Sequence, residues 1–412
     1  MVHQSPRSSA EYTLLMENWG RYFTCIAPDT PCFGQSDPLP EDSEIDDFGD
    51  ACVAIVKALG LQGCAAYGFH SGGIILMNVV KRYPELFGAV AMGGYAIWTR
   101  EERALFDGDY LPPYVEKPFG DHLIWLWNRV LEETWQFPWF DVANGLKLTG
   151  ANDDPARVAA SLAMLLDAGP AYRTGYGAVL RAGRDVPDAD AAVPPAIISA
   201  YKADPLYAHI DRLPALPGNW RVEKVDTPDD QNALNLAWLR ENAPQMPCPD
   251  VPQDSGEGWI AVDGKLIHWR GQKGAALMLH GPARDMHAVP GADLAIDVPG
   301  HGLSDNLDDI GDAIAKAAKQ LGADTIHWPE RPAGDPARLY PDLTPDRFGA
   351  HLLRAWGAAR AEAIFSPWYD ASHGARIAIE PELLEPASIN RRFLARLRAG
   401  DAARKFHAML QS

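Results

Sequence analysis

The chain has 412 residues, and at about 150 residues per domain this length predicts two or three domains. A composition of 47% hydrophobic and 22% charged residues excludes a disordered chain, and the net charge of −18 argues against a surface for nucleic acid or anionic membranes. No apolar run approaches the length of about 18 residues that a membrane span requires. The five cysteines are scattered without the spacing of metal ligands, so the sequence predicts a cytoplasmic protein with reduced thiols, no metal and no other cofactor.

In the first half, short apolar runs alternate with stretches in which apolar residues recur at helical spacing. The predicted strands are residues 23–28, 64–67, 89–92, 196–200 and 220–225, and the clearest predicted helices are residues 45–59 and 72–83. Because strands that alternate with helices form parallel β-α-β units, residues 1–243 are predicted to be an α/β domain. Between about residues 98 and 190 the pattern changes to aromatic-rich helices without a strand, which predicts an inserted helical cap.

A proline-rich stretch without periodicity, residues 244–258, predicts a linker to a second domain over residues 259–412. This second half opens with a predicted hairpin, residues 259–262 and 266–269, around the turn Asp263-Gly264. Two further strands are predicted at residues 276–279 and 294–297. From residue 341 onwards the chain is predicted to be helical.

The two halves share sequence patterns. The segments FGDHL (119–123) and PWFD (138–141), with Trp127 between them, match FGAHL (348–352), Trp356 and PWYD (367–370) without gaps. Residues 29–37 likewise match residues 297–305. Since aromatic residues and a histidine recur together at the same spacing, we interpret the second half as a degenerate copy of the first.

Four motifs of the first half, in this order, resemble the α/β-hydrolase superfamily. They are His3-Gln4-Ser5-Pro6, the loop of residues 29–37, the turn of residues 68–72 and the loop of residues 202–206. The resemblance implies an α/β fold, with an α/β-hydrolase-like parallel sheet, an inserted helical cap and a partial duplicated unit. The sequence also resembles a branch of this superfamily with HQTPRS-like loops and a Gly-His-His-Thr-Gly turn.

The turn of residues 68–72 matches the family's Gly-x-nucleophile-x-Gly motif, the nucleophile elbow. In Gly68-Phe69-His70-Ser71-Gly72 the nucleophile position is occupied by His70 rather than by serine. Small residues are needed on both sides of this sharp turn. A frame shifted by one residue would make Ser71 the nucleophile, but it would place bulky Phe69 where a small residue is required. The flanking motifs also favour the His70 frame, and the Ser71 frame stays open as the alternative.

The sequence departs from the family pattern at the loop after the last predicted strand, residues 225–232, which has no histidine. A Ser-His-Asp triad therefore cannot be assembled from the usual positions. The resemblance implies His70 as nucleophile or as base for water, and Asp204 as the carboxylate that orients a histidine or a water. It also implies backbone N–H groups of Ser5 and Ser71, with Gln4 in the same loop, as donors to an oxyanion.

Two further histidines are candidates. His122 in the predicted cap could contact substrate, although a structural histidine beside Trp127 is the simpler interpretation. His209, five residues past Asp204, is interpreted as a surface or helix-start residue.

The resemblance implies hydrolysis of a small ester, lactone or other acyl compound, and the cap, which is rich in aromatic residues, predicts that this substrate is largely apolar. Two alternatives remain: cofactor-free lyase, isomerase or oxygenase chemistry with His70 as base, and a non-catalytic binding protein. The expected partner is a small-molecule substrate, not nucleic acid or a membrane, and a homodimer is left open.

The second half has no Gly-x-nucleophile-x-Gly turn. Its hairpin and the strand that follows resemble the elements with which the family's fold begins, and these are absent from the first half. We therefore expect it to be structural and to complete the first sheet. On this hypothesis, deleting residues 250–412 would leave a sheet edge uncovered and the remainder insoluble or much less stable.

Overall fold

The computed structural model describes residues 1–105, 110–143, 145–148, 154–249 and 256–410. The chain forms two compact units. Unit 1 consists of Met1–Tyr114 and Arg129–Val251, and unit 2 consists of Val115–Asn128 and Pro252–Ser412. The chain thus passes from unit 1 to unit 2 within the predicted linker, of which residues 250–255 lie outside the described residues. In the described part of the chain, the helices are too short or too polar to cross a membrane.

Unit 1 contains a four-stranded sheet, and helices flank it. Its helices are α1 Thr13–Trp19, α2 Ile45–Ala58, α3 Ser71–Arg82, α4 Arg100–Leu105, α6 Pro155–Ala168, α7 Tyr172–Arg181 and α8 Pro228–Asn242, and α5 Asp121–Glu132 spans the boundary between the units. Its strands are β1 Cys64–Phe69, β2 Phe87–Gly93, β5 Ala196–Tyr201 and β6 Trp220–Val225, with a short pair, β3 Gln136–Phe137 and β4 Leu146–Lys147. The sheet order is β1-β2-β5-β6 and every pairing is parallel, which confirms the predicted α/β-hydrolase-like parallel sheet.

Strand β2 shows why these residues form a central parallel strand. Its residues 89–92 are completely buried and apolar, as expected for a strand covered on both faces. Ala89 and Ala91 pack with Trp238 of α8, whereas Met92 lies on the other face, close to Gly73 of α3. Alternate side chains of one strand thus anchor the helices of two layers.

Two expectations about unit 1 are wrong. Residues 23–28 do not form a strand, because no neighbouring strand pairs with them in the described structure, and an apolar run needs a partner edge to become a strand. The cap region is not purely helical, since β3 and β4 form an antiparallel pair within it.

Unit 2 has a separate five-stranded sheet. Its strands are β7 Glu257–Val262, β8 Lys265–Gly271, β9 Leu277–Leu279, β10 Leu294–Ile296 and β11 Ile326–His327, in the order β11-β9-β10-β8-β7. Its helices are α9 Ile310–Leu321, α10 Pro336–Leu339, α11 Ala350–Ala361, α12 Pro386–Ala399 and α13 Ala402–Met409. Within the described residues these strands pair only with one another, so the expectation that they complete the sheet of unit 1 is wrong. Their hydrogen-bonding edges are used inside their own sheet.

The loops of residues 29–37 and 297–305 have the same internal contacts. The carboxylate of Asp29 accepts two backbone N–H bonds of 2.8 and 2.9 Å, and that of Asp297 does the same at 2.8 and 2.9 Å. Each lies against a glycine with positive φ, Gly34 in the first loop and Gly302 in the second. Asp29 is therefore a residue that holds a turn together.

The matched tryptophans explain why Val115–Asn128 clusters with unit 2, a grouping absent from the predicted domain boundaries. Trp127 lies over Gly349, and Trp356 lies over Gly120, at glycines with φ of +68° and +77°. Each indole N–H donates to a backbone carbonyl of the opposite segment, at 3.1 and 3.2 Å. The two repeated segments thus pack reciprocally against each other, and both tryptophans are almost fully buried.

A buried ion cluster in unit 2 gives a pH-dependent prediction. Glu362 accepts hydrogen bonds from Arg284 and, at 2.7 Å, from Arg396. Burial alone would raise the pKa of Glu362, but the two guanidinium groups outweigh it and lower the pKa from 4.5 to about 2. The ionised form stabilises the fold, so this contribution is complete above pH 4.5 and is lost as the pH falls towards 2.

We expect urea unfolding measured at pH 6 and at pH 3 to show part of this loss, about 2 kcal/mol for this group. Glu362→Gln should destabilise the protein at pH 6, because it leaves two buried arginines without a charged partner. It should also remove part of the pH dependence, because glutamine does not titrate. The exposed Glu330→Gln is the matched control. Identical pH profiles for the two variants would contradict the prediction.

Candidate functional site

The turn between β1 and α3 places His70 at its tip. His70 has φ 47° and ψ −109°, a backbone conformation that residues other than glycine rarely adopt. The residues on either side must be small: a Cβ at Gly68 would lie 2.5 Å from the backbone carbon of Gly72, and one at Gly72 would lie 1.9 Å from the oxygen of Val2. The structure therefore has the register in which His70, and not Ser71, stands between the two glycines.

The structure brings His70 and Asp204 together. Nε2 of His70 lies 3.0 Å from Oδ2 of Asp204, which follows β5 at the carboxyl end of the parallel sheet. The Asp204 side chain is completely buried and its Oδ1 accepts the N–H of Leu206 at 2.7 Å, whereas the His70 side chain remains 23% exposed. A carboxylate held in this way fixes the ring orientation of the histidine and directs its other nitrogen, Nδ1, away from Asp204.

Two neighbours complete the surroundings of this pair, and the sequence analysis predicted the contact of neither with His70. The ring of Phe69 stacks on His70 with 4.1 Å between the centroids. Gly94, with φ +61°, lies so close that a Cβ there would be 2.3 Å from Cδ2 of His70 and 2.8 Å from Oδ2 of Asp204. The Gly93-Gly94 pair at the end of β2 was the available signal, since adjacent glycines at a strand end often mark a close approach.

Ser71 lies beside the tip of the turn, and its hydroxyl is bonded to another loop. It is buried, and its Oγ accepts the backbone N–H of Ser5 at 3.0 Å. The hydroxyl thus holds the loop that follows Val2 against the start of α3.

The predicted oxyanion donors need correction for the same reason. The N–H of Ser5 is already bonded to Ser71, and the N–H and side-chain amide of Gln4 bond to the Glu11 carboxylate at 2.7 and 2.8 Å. Sequence reasoning missed Glu11, which lies in the short helix Ser9–Tyr12. The N–H of Ser71 remains as a donor, since no acceptor in the described part of the chain is bonded to it.

We expect Ser71→Ala to keep activity that depends on His70 but to lower stability by about 1–3 kcal/mol, because it leaves the buried N–H of Ser5 without an acceptor. Chemical denaturation and a fluorophosphonate labelling assay measure the two effects. The probe should label neither the wild type nor the variant at this position. Labelling of Ser71 would contradict this prediction and support Ser71, rather than His70, as the nucleophile.

The contacts of His122 are those of a structural residue in unit 2. It is buried, its ring meets the edge of Trp356 at 4.9 Å, and Nδ1 accepts the N–H of Lys117 at 3.2 Å. Burial lowers the pKa of His122 to about 4, so the ring is neutral at neutral pH. These contacts account for the residue without a substrate.

His209 is a buried residue, and the prediction of a surface position is wrong, although it does begin the short helix His209–Arg212. Its ring meets Trp98 at 4.9 Å, and Nε2 lies 3.9 Å from a carboxylate oxygen of Glu102. Burial lowers the pKa of His209 despite this carboxylate. In the described residues no cluster of three or more histidine, cysteine or acidic side chains could hold a metal ion.

Comparison with known proteins finds similarity only at the level of solved structures. No family model and no curated protein matches the chain. An epoxide hydrolase from Mycobacterium thermoresistibile is similar at 17% identity with a TM-score of 0.44, over 59% of this chain and 92% of that one. A thermophilic esterase from Thermogutta terrifontis is similar at 16% identity and a TM-score of 0.38, over 59% and 89%. At these values, the fold assignment rests on the strand order and connections of unit 1.

Proposed function

We propose that this protein hydrolyses a small, largely apolar ester or lactone, with His70 as the general base and Asp204 as the carboxylate that orients it. The observation that supports this proposal best is the 3.0 Å contact between Nε2 of His70 and Oδ2 of Asp204, at a turn with positive φ. Strained backbone at a polar pair is typical of functional sites. The side chain of His70 is also partly accessible, as a reacting base must be.

The proposed mechanism uses the free nitrogen of the ring. In the tautomer with the proton on Nε2, this N–H donates a hydrogen bond to Asp204. Nδ1 then carries the lone pair and removes a proton from water. The water oxygen attacks the acyl carbon, the bond to the alcohol oxygen breaks, and the imidazolium returns its proton to that oxygen. Asp204 stabilises the imidazolium in between, and the N–H of Ser71 donates to the developing oxyanion.

An apolar substrate fits the aromatic side chains near the Asp204 loop. Trp98 stacks on Phe137 with 6.3 Å between the ring centroids, and it also contacts the edge of His209 in the short helix that follows the loop. Tyr110 meets Phe137 edge-on at 6.0 Å. Such a cluster favours an apolar acyl chain or ring over a charged substrate.

A second candidate is abstraction of a proton from a carbon acid by the same base, without hydrolysis. The observation that favours it is the occupied loop: with the N–H groups of Gln4 and Ser5 both bonded, fewer donors are left for an oxyanion than acyl transfer usually requires.

The test is a panel of aryl esters, lactones and enolisable ketones in ¹⁸O-water and, separately, in deuterium oxide. Hydrolysis places one ¹⁸O in the carboxylic acid product, whereas proton abstraction places deuterium on a substrate carbon. A quenched reaction that contains an acylated His70 would show that Nδ1 attacks directly rather than through water. Ligand binding without turnover would contradict both catalytic proposals and support a binding protein.

A further inference from the structure

A buried arginine on α5 lacks hydrogen-bond acceptors. Arg129 lies in the part of α5 that belongs to unit 1, and only 2% of the residue is exposed. Within the described structure, none of its three side-chain nitrogens has a hydrogen-bond partner. Nη2 lies 3.0 Å from a carboxylate oxygen of Glu133, one helical turn away, but the two groups are not aligned for a hydrogen bond. Because a buried guanidinium has five N–H donors to satisfy, this position calls for a further acceptor.

The neighbouring aromatic side chains do not supply this acceptor. The guanidinium carbon of Arg129 lies 5.4 Å from the centre of the Trp139 ring. Burial raises the pKa of three nearby tyrosines, Tyr110, Tyr172 and Tyr176, and the charge of Arg129 opposes this rise. The hydroxyl groups of Tyr110 and Tyr176 are bonded to each other at 2.8 Å, and that of Tyr172 donates to a backbone carbonyl. The guanidinium therefore lies among tyrosines whose hydroxyl groups are bonded elsewhere.

Consecutive ring contacts connect this cluster with the surroundings of the proposed base. Tyr110 contacts Phe137 with 6.0 Å between the ring centroids, and Phe137 stacks on Trp98 at 6.3 Å. Trp98 in turn contacts His209, in the short helix that follows the Asp204 loop, at 4.9 Å. A ligand that lies along these rings would have an apolar middle part. One of its ends would lie near the proposed base, and the other would lie near the buried guanidinium.

A carboxylate is the acceptor that fits this guanidinium best. It is planar, accepts two parallel N–H bonds from one arginine and brings the single negative charge that a buried cation needs. Glu133 already places a carboxylate against Arg129, and its side chain is 26% exposed, so it can turn into water when another carboxylate takes its place. A phosphate dianion would bring a second negative charge close to Glu133, which disfavours it.

We propose that Arg129 binds a free carboxylate of the substrate, at the end remote from the ester or lactone that reacts. This inference rests on the proposed function and narrows its substrate class. The substrate is then a half-ester of a dicarboxylic acid, or a lactone that carries a carboxylate, with an apolar chain or ring between its two ends. The aromatic side chains hold the apolar part, and the one charge lies at the buried arginine.

Binding is tested first with probes that cannot be hydrolysed as esters. The probes are 4-phenylbutyrate and its neutral amide, and titration calorimetry measures both. We expect the wild type to bind the carboxylate about 10–100-fold more tightly than the amide, because hydrogen bonds to a charged group are stronger than neutral ones. Arg129→Gln should remove this preference. Arg157→Gln, on the exposed side of α6, is the matched control and should keep it.

Glu133→Gln is expected to act in the opposite direction. A neutral amide competes less well for the guanidinium, so carboxylate binding should become roughly tenfold tighter. An ion pair with a purely structural role would instead make Arg129→Gln and Glu133→Gln less stable and leave both probes unbound. If Arg129→Gln does not fold, the tighter binding by Glu133→Gln still tests the proposal. Binding that weakens in Glu133→Gln, or sulfate binding as tight as that of the carboxylate, would overturn it.

Turnover is measured separately with two nitrophenyl esters of suberic acid, one with a free second carboxylate and one with a terminal amide. We expect kcat/KM to favour the free acid by about 10–100-fold in the wild type, and Arg129→Gln should abolish this preference. Equal hydrolysis of both esters by the wild type would overturn the inference and leave the proposed hydrolysis intact. Carboxylate binding that depends on Arg129, in a protein that hydrolyses no ester of the panel, would support the carboxylate site and contradict the proposed function.

Discussion

Replacement of His70 by glutamine is expected to lower kcat/KM by about 10²–10⁴-fold with any substrate that the protein turns over, while the fold is retained. Glutamine fills similar space but supplies no basic nitrogen, so proton removal from water stops. Initial rates and circular dichroism measure the two effects. His327→Gln is the matched control, because this histidine is exposed at the end of β11.

Asp204→Asn tests whether His70 acts alone. The asparagine amide can present an N–H to Nε2, which would reverse the tautomer and place the ring proton on Nδ1. We expect kcat to fall by about 10²–10⁴-fold with a smaller change in KM, since the loss affects the reacting step. An Asp204→Asn variant with wild-type kcat, or a His70→Gln variant that retains activity, would contradict the proposed pair.

Gly94→Ala is expected to abolish activity only because it changes the position of the His70 ring. The added methyl group would lie 2.3 Å from Cδ2 of His70, so the ring would have to leave Asp204. Gly60→Ala provides the control, because Gly60 has a similar φ of +64° and no atom within 4 Å of the added carbon. Both variants have the backbone strain of about 1–2 kcal/mol, and only Gly94→Ala also disturbs the site.

The imidazole resonances of His70 and a crystal structure of each variant show where the ring lies. If Gly94→Ala and Gly60→Ala are equally active, the position of the His70 ring against Gly94 is not required for activity. Loss of activity in both would point to strain in unit 1 rather than to a local effect.

Local patterns explain which elements of the fold could be predicted from the sequence. Strand β6 was predicted with its exact ends, and α3 within a residue, because apolar periodicity and the flanking breakers act over short distances. Residues 23–28 have an equally apolar pattern and form no strand. A strand depends on hydrogen bonds to a neighbour, and periodicity carries no information about whether the neighbour is present.

The candidate site divides in a similar way. The glycines around His70 could be interpreted from sequence, because Gly68 and Gly72 lie within two residues of the turn that needs them. The bond from Ser5 to Ser71 joins residues 66 positions apart, and no local signal indicates it. For this reason the predicted oxyanion donors proved to be occupied.

The sequence by itself determined the parallel α/β pattern, the turn with histidine between two glycines, and the carboxylate that follows β5. All three depend on residue types at short spacing. Only the tertiary structure decided that Asp204 contacts His70 across 134 positions, that Gly94 packs against the pair, and that the strands of the second half pair with one another. These outcomes depend on which surfaces meet after folding, and that is set by the packing of whole elements rather than by neighbouring residues.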